Sequence, residues 1–231
     1  MAFKDGDFLE VQYSAWTASD DRLVSTTDEA VAKKAEIYDK ENTYGPVLVV
    51  LGSQGVIKGL DRELHAMSLN ESKKVTFKPD EAFGERIEEL VRIMPIAEFR
   101  KHDIDPYPGL QVNLDNVTAI VKSVNSGRVV VDANHPLAGR EITYEVRVVR
   151  QLTAEADKIT ALGKTTGLAV TKVEQNGKAV KLGFDNNVKK NADYFMGKAN
   201  LIAGIFTYFK EVQKVDVEEE YLRPEEPKEK K

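Results

Sequence analysis

The sequence predicts an antiparallel α+β fold. Short segments in which apolar and polar residues alternate occur near the N-terminus and again after residue 140, a pattern typical of strands with one buried face. Between them, the aliphatic run of residues 47–51 is followed by a glycine-containing turn and by an amphipathic helix that begins near Gly59. Strands surrounding one short central helix favour the antiparallel α+β class over alternating βαβ units.

The N-terminal segment predicts a half-buried strand over residues 7–16, whose apolar face carries Leu9, Val11, Tyr13 and Ala15. A second short strand is expected over residues 22–26, after a polar turn. Residues 27–40 have the composition of a helix, and residues 72–77 predict a further strand.

A segment of different character, residues 87–139, separates these elements from the last strand of the sheet. It contains three predicted strands (residues 110–114, 118–124 and 128–132) and a short helix over residues 96–100. The strand pattern then returns at residues 141–151, where Ile142, Tyr144, Val146 and Val148 share one face. We therefore expect a β-rich domain inserted between two strands of one sheet.

Beyond this sheet, residues 153–221 predict a small α+β domain. A helix over residues 154–162 precedes a β-hairpin with an Asn176-Gly177 turn, a long amphipathic helix over residues 191–212 and a last strand over residues 214–221. The charged, proline-containing tail, residues 222–231, is expected to be disordered.

Composition excludes several functions. The chain has 231 residues, no cysteine and a formal net charge of −5. Disulfides and thiolate chemistry are therefore impossible, and the negative charge argues against a nucleic acid or an anionic membrane as the main partner. The first residues lack the apolar core of a signal peptide, and no run approaches the roughly 20 apolar residues of a membrane span. We expect a cytoplasmic protein.

The three histidines do not indicate a metal site. His65 is expected at the edge of the central helix, His102 in a polar loop and His135 in a structural turn. They are far apart in sequence and lack ligand spacing. We predict no metal and no cofactor.

Several motifs make a family resemblance specific. Residues 11–16 read VQYSAW, residues 47–77 read VLVVLGSQGVIKGLDRELHAMSLNESKKVTF, residues 79–84 read PDEAFG and residues 142–149 read ITYEVRVV. Together they resemble the FK506-binding-protein (FKBP) family of peptidyl-prolyl cis–trans isomerases. The inserted segment ends in VVVDANHPLAG, which resembles the closing motif of the insert-in-flap domain of SlyD-type FKBPs.

The resemblance implies an antiparallel half-barrel that wraps a short helix, built from residues 1–86 and 140–152, with residues 87–139 as the insert. It places an apolar catalytic pocket at eight positions: Tyr13, Val24, Val47, Val56, Ile57, Leu60, Phe83 and Tyr144. It also implies that the Ile57 backbone N–H holds a substrate carbonyl. Ser25, Val47 and Leu60 depart from the aspartate, aromatic and tryptophan residues common in the family, so modest catalysis is expected.

The resemblance further implies a rotamase that acts on unfolded or nascent chains, with chaperone activity in the insert. Within the insert, the residues predicted to bind such chains are Ile93, Met94, Ile96 and Phe99. The C-terminal domain is similar in position to that of long-type archaeal FKBPs, which implies a homodimer.

Two alternatives remain open from the residues themselves. Tyr13, Val56, Phe83 and Tyr144 are also suitable for an ordinary buried core. The alternative function is a non-catalytic or weakly catalytic holdase that binds unfolded chains and whose pocket is degraded at Ser25, Val47 and Leu60. The retained aromatic residues favour catalysis.

Overall fold

The computed structural model describes residues 2–114, 117–185 and 191–219. In chain order, the strands are β1 (Phe8–Thr17), β2 (Leu23–Thr26), β3 (Val47–Val50), β4 (Ser72–Phe77), β5 (Val91–Pro95), β6 (Gln111–Leu114), β7 (Val117–Asn125), β8 (Arg128–Asp132), β9 (Ile142–Leu152), β10 (Val170–Asn176), β11 (Ala179–Phe184) and β12 (Lys214–Glu218). The α-helices are α1 (Glu29–Lys34), α2 (Lys58–Ala66), α3 (Ile96–Arg100), α4 (Glu155–Thr165) and α5 (Ala192–Tyr208). The turns Pro79–Glu81 and Glu88–Leu90 are 3₁₀ helices.

The first sheet has the strand order β2-β1-β9-β4, and β3 also pairs with β1. Every pair in it is antiparallel, and Tyr144 of β9 lies opposite Ala15 of β1 and Val75 of β4. One face of this sheet covers α2, whose apolar side is buried through Leu60 and Leu64. The α+β class and the interruption of the sheet between β4 and β9 are therefore confirmed.

The predicted helix over residues 27–40 is shorter than expected. The Asp28 side chain caps α1 by accepting from the backbone N–H groups of Ala30 and Val31. The helix ends at Lys34, and Glu36 then has a left-handed backbone with φ of +58°. Because Ala32 is the one fully buried residue of α1, little packing is available to extend the helix further.

The insert forms a separate antiparallel sheet with the order β5-β8-β7-β6. The helix α3 packs on this sheet through the buried Phe99, and the strands contribute the remaining buried side chains: Val112, Ala119, Val121, Val129 and Val131. The elements predicted for the insert are present within a few residues of their expected ends. The predicted turn at residues 115–116 lies outside the described residues.

The C-terminal unit contains the predicted helix, hairpin, helix and strand. The hairpin β10–β11 turns at Gly177 and Lys178, one residue later than the predicted Asn176-Gly177 turn, because Asn176 still pairs with Ala179. Strand β12 returns after α5 to pair in parallel with β11. Its hydrophobic core also includes Phe8, Val50 and Leu152 from the first sheet. The unit therefore packs directly against the sheet. The end of the predicted last strand and the expected disordered tail lie outside the described residues, and the proposed domain boundaries stay predictions.

Candidate active site

A cavity of about 790 Å³ opens where β1, β9, the β3–α2 loop and the segment after β4 meet. Leu60, the third residue of α2, forms its floor and is 3% exposed. Six of the eight predicted pocket residues line the cavity: Tyr13, Val56, Ile57, Leu60, Phe83 and Tyr144. Sequence motifs that are up to 131 positions apart (Tyr13 to Tyr144) therefore converge on one apolar concavity.

The β3–α2 loop is held in shape by local hydrogen bonds. The Gly52 N–H donates to the Asp61 carboxylate at 3.0 Å, and the Ser53 hydroxyl donates to the Val50 carbonyl at 2.6 Å. Ile57 precedes α2 with an extended backbone, and its N–H donates no hydrogen bond to any other described residue. This N–H group is thus available to a ligand at the edge of the cavity.

The close approach of α2 to the sheet depends on Gly59. A Cβ atom at this position would lie 2.3 Å from a ring carbon of Phe77 on β4, well inside van der Waals contact. The absence of a side chain lets the first turn of α2 rest on the Phe77 ring. This contact sets the depth of Leu60 and therefore the floor of the cavity.

The aromatic wall is built from neighbouring strands. The Tyr13 and Tyr144 rings have centroids 5.6 Å apart, and Phe77 lies 5.9 Å behind Tyr144. The Tyr13 hydroxyl and the Ser25 hydroxyl are 3.1 Å apart, within hydrogen-bonding distance. Burial, together with the adjacent Tyr13, raises the pKa of Tyr144 to about 12, so its hydroxyl stays protonated at neutral pH.

Phe83 forms the opposite wall and is supported by a residue that the sequence analysis assigned only to a turn. The His135 ring stacks on Phe83 with a centroid distance of 4.5 Å and an interplanar angle of 1°. The His135 Nδ1 atom accepts the Leu137 backbone N–H at 3.2 Å. Nothing in the spacing of these residues in sequence indicates the contact, because it requires the insert to fold back beside the cavity.

The structure places the other two predicted pocket residues in a neighbouring cavity. Val24 and Val47 line a second cavity of about 290 Å³, which shares Tyr13 and Ser25 with the first. Neither residue lines the main cavity, because their strands flank it at the side of the segment after α1. The catalytic role of all eight residues stays a prediction.

Polar residues at the mouth were missed by the sequence analysis. Gln54, Lys58, Asp61 and Asp80 line the main cavity beside the apolar residues. Lys58 and Asp61 reach the cavity because they lie in the first turn of α2, so the predicted start of this helix indicates their place. Their side chains can contact the polar backbone of a bound chain.

The insert contains a cleft of about 430 Å³ between α3, β5 and β6. Of the four predicted binding residues, Met94 and Phe99 line it, although Phe99 is only 4% exposed and belongs to the core of the insert. Ile96 packs against that core and does not line the cleft. Ile93 is 66% exposed on the opposite face of β5, because adjacent strand residues alternate between faces.

The described residues contain no group of three or more His, Cys, Asp or Glu side chains arranged to hold a metal ion. No helix in the described ranges is long and apolar enough to cross a membrane. The antiparallel sheet that covers α2, together with the largely apolar cavity beside it, defines a class of half-barrel protein whose pocket is suited to binding part of a polypeptide.

Comparisons with known proteins identify the family. The family model for FKBP-type peptidyl-prolyl cis–trans isomerase matches residues 1–99, and the model for the IF domain of FKBP26 matches residues 92–137. A short-type peptidyl-prolyl cis–trans isomerase of Methanocaldococcus jannaschii is 30% identical over 154 residues, which cover 67% of this chain and 97% of the relative. The chain belongs to the FKBP-type peptidyl-prolyl cis–trans isomerases.

Bacterial relatives agree with this assignment. The SlyD isomerase of Vibrio cholerae is 32% identical over 127 residues, covering 53% of this chain and 63% of the relative. The FKBP-type 16 kDa peptidyl-prolyl cis–trans isomerase of Escherichia coli is 26% identical over 113 residues, covering 47% of this chain and 75% of the relative. A solved structure of the three FKBP domains of wheat FKBP73 matches with a TM-score of 0.35 and 16% identity, over 67% of this chain and 42% of that chain. The family-model match and the isomerase relatives of Methanocaldococcus jannaschii and Vibrio cholerae confirm the prediction of a rotamase enzyme.

Proposed function

We propose that the protein isomerises prolyl bonds of unfolded or partly folded polypeptides, and that its insert holds those polypeptides near the catalytic pocket. The observation that carries the proposal is the convergence of Tyr13, Ile57, Leu60, Phe83 and Tyr144 on one apolar cavity. The cleft of the insert supplies a second surface, on which apolar residues such as Met94, Ile104 and Leu114 lie beside polar ones.

Prolyl isomerisation is accelerated by moving the amide from water into an apolar pocket, and it needs no reactive side chain. Rotation about a peptide bond faces a barrier of roughly 18–20 kcal/mol, because resonance gives the C–N bond partial double-bond character. The twisted amide of the transition state has lost that resonance and is less dipolar than the planar amide. An apolar pocket therefore stabilises the twisted form relative to the planar form. A thousandfold acceleration requires only about 4 kcal/mol of such differential stabilisation.

Hydrogen bonds orient the substrate in this mechanism. The Ile57 N–H, which donates to no other described residue, donates to a substrate carbonyl at the mouth of the cavity. Leu60, Phe83 and Tyr144 enclose the proline ring and exclude water. Proton transfer plays no part, so activity should not depend on the ionisation of Tyr144 near neutral pH.

The cleft of the insert is suited to apolar segments of an unfolded chain. Met94, Ile104 and Leu114 line it with apolar side chains, of which Met94 is the most adaptable, and Glu98 and His102 also line it. Binding there raises the concentration of nearby prolyl bonds at the pocket. The insert is thus proposed to act as the chaperone part of the molecule.

Adjacent residues on β5 provide a matched test. Met94 lines the cleft, whereas Ile93 points to the opposite face. We expect Met94→Ser to slow the catalysed refolding of a proline-limited protein several-fold and to leave the isomerisation of a short prolyl peptide unchanged. Ile93→Ser should change neither the refolding rate nor the peptide isomerisation rate. Equal effects of the two variants would contradict the cleft as the chain-binding surface.

Tyr13→Ala tests the pocket in the same assays. Loss of acceleration with both the short peptide and the refolding protein is expected. If Tyr13→Ala retained full acceleration while aggregation of the unfolded protein was still suppressed, the pocket would not be the site of catalysis.

We also propose that the C-terminal unit forms a homodimer, as in the long-type archaeal arrangement. Neither family-model match reaches this unit. The helix α5 exposes large apolar side chains on the side away from its own core: Phe195, Met196 and Phe206. Sedimentation equilibrium should show a dimer for wild type and a monomer for Met196→Glu. The control variant Lys210→Glu, at an exposed residue just after the helix, should remain dimeric.

A further inference from the structure

A groove of about 500 Å³ lies beside the catalytic pocket, between the segment that follows α1 and the connector that leads from the insert to β9. We call it the Ile37 groove. Its lining residues are Arg22, Leu23, Val24, Ala35, Ile37, His135, Pro136 and Leu137. Apart from Arg22 and His135, these side chains are apolar, and Ile37 is 39% exposed.

The groove is continuous with the pocket on two sides. Val24 and Ile37 also line the 290 Å³ cavity, which shares Tyr13 and Ser25 with the catalytic pocket. On the other side, His135 of the groove stacks directly on Phe83 of the pocket. A polypeptide leaving the pocket can therefore follow an uninterrupted surface into the groove.

The segment that carries Ile37 has a defined shape. The Ile37 N–H donates to the Ala32 carbonyl at 3.1 Å, and the Gly45 N–H donates to the Thr27 carbonyl at 2.8 Å, which closes the loop at its base. Within the loop, the Tyr38 and Tyr44 rings stack with centroids 5.5 Å apart. The loop therefore presents Ile37 at a fixed position, although residues 35–45 contain no regular secondary structure.

We propose that the Ile37 groove is a specificity subsite that binds an apolar side chain of the same polypeptide whose prolyl bond occupies the pocket. The inference deepens the proposed function and rests on isomerisation in that pocket, but it does not depend on the cleft of the insert. Because an extended chain advances about 3.3–3.6 Å per residue, the occupant is a residue within a few positions of the proline. The apolar lining and the exposed Ile37 select Leu, Ile, Val or Phe over a polar residue at that position.

The test uses a set of short prolyl peptides that differ by one residue. A parent peptide carries Ser at the three positions on either side of the X-Pro pair, and each derivative carries one Leu. We expect wild-type kcat/KM to rise about fivefold to tenfold for Leu at one of these positions, mainly through KM. Ile37→Ser should abolish that preference and leave kcat/KM for the Ser parent unchanged.

Two further variants make the result specific. Leu69→Ser removes another exposed apolar side chain, 51% exposed, that lines none of these three cavities, and should retain the Leu preference. Ala35→Phe fills the groove without removing Ile37, and this variant should lose the Leu preference. An unchanged Leu preference in Ile37→Ser and Ala35→Phe, or no preference in wild type, would overturn the proposal.

A binding measurement separates this inference from the proposed function. Fluorescence anisotropy of the labelled Leu and Ser peptides reports the same preference as a ratio of Kd values, even if isomerisation is slow. Absence of isomerisation with a retained, Ile37-dependent Kd ratio would contradict the proposed catalysis and support the groove. Normal isomerisation with equal Kd values for every peptide would contradict the groove alone.

Discussion

His135 lies flat against Phe83, with ring centroids 4.5 Å apart and planes within 1° of parallel. Phe83 forms a wall of the catalytic pocket, whereas His135 belongs to the connector that leaves the insert. The preceding residue, Asn134, exchanges two hydrogen bonds with the Ile87 backbone on the entering connector, at 2.8 and 2.9 Å. The base of the insert thus directly supports one wall of the pocket.

The stack predicts that His135 acts as a positioning residue. We expect His135→Ala to lower kcat/KM for a short prolyl peptide about twofold to tenfold, since an aromatic pair contributes roughly 0.5–1.5 kcal/mol. His135→Phe, which retains a flat ring, should restore most of the activity. Peptide isomerisation kinetics with separate kcat and KM values provide the measurement, and equal losses in the Ala and Phe variants would exclude the role of the stack.

Tyr144 predicts a specific loss of stability in alkali. Its pKa is raised from 10.0 to about 12 in the folded protein, so the unfolded chain releases the proton first. The contribution of the Tyr144 hydroxyl to the free energy of unfolding is complete below pH 10. As the pH rises towards 12, this free energy falls by about 2–3 kcal/mol. Urea unfolding of wild type and Tyr144→Phe between pH 9 and 12 should show a steeper decline for wild type. Parallel curves would contradict the burial of an ionisable hydroxyl at this site.

His65 predicts a second pH dependence, near neutrality. The Asp61 carbonyl, 2.7 Å from Nδ1, and the Asp5 carboxylate, 2.9 Å from Nε2, raise the pKa of His65. Both contacts are donated at once only by the protonated ring. The stability that they provide is therefore complete below the unfolded pKa of about 6.5 and is lost as the pH rises through the higher folded value.

The measurement for His65 is the free energy of unfolding at pH 5.5–8.5 together with an NMR titration of the ring. His65→Gln should flatten the dependence of stability on pH, and Asp5→Asn should lower the pKa of His65. A His65 titration unchanged by Asp5→Asn would show that the contact with Asp5 is not formed in solution.

Two glycines on α5 predict opposite effects of the same substitution. A Cβ at Gly197 would lie 2.4 Å from the Thr166 carbonyl oxygen, whereas at Gly204 its nearest neighbour would be Leu162 at 4.0 Å. We expect Gly197→Ala to destabilise the protein by about 1–3 kcal/mol, and Gly204→Ala to stabilise it by about 1 kcal/mol through helix propensity. Urea denaturation of both variants checks this, and similar effects would contradict the close packing of α5 on the end of α4.

Local patterns in the sequence predicted most elements, because their cause is local. The strand Ser72–Phe77 and the helix Ile96–Arg100 have the bounds expected from alternation and from apolar spacing. The helix after Thr27 was overestimated because its composition suits a helix, while the packing that would extend it is absent. Propensity alone could not reveal that difference.

The sequence by itself determined the fold class and the insertion of a β-rich domain between two strands of the first sheet, because periodicity is read without coordinates. The resemblance of its motifs to the FKBP family implied the family and six residues that line the pocket. Only the tertiary structure decided that Val24 and Val47 face the neighbouring cavity, that Phe8 joins the C-terminal core and that His135 stacks on Phe83. Each of these contacts joins residues distant in sequence, so its geometry depends on how sheets and connectors pack and not on the local pattern of either partner.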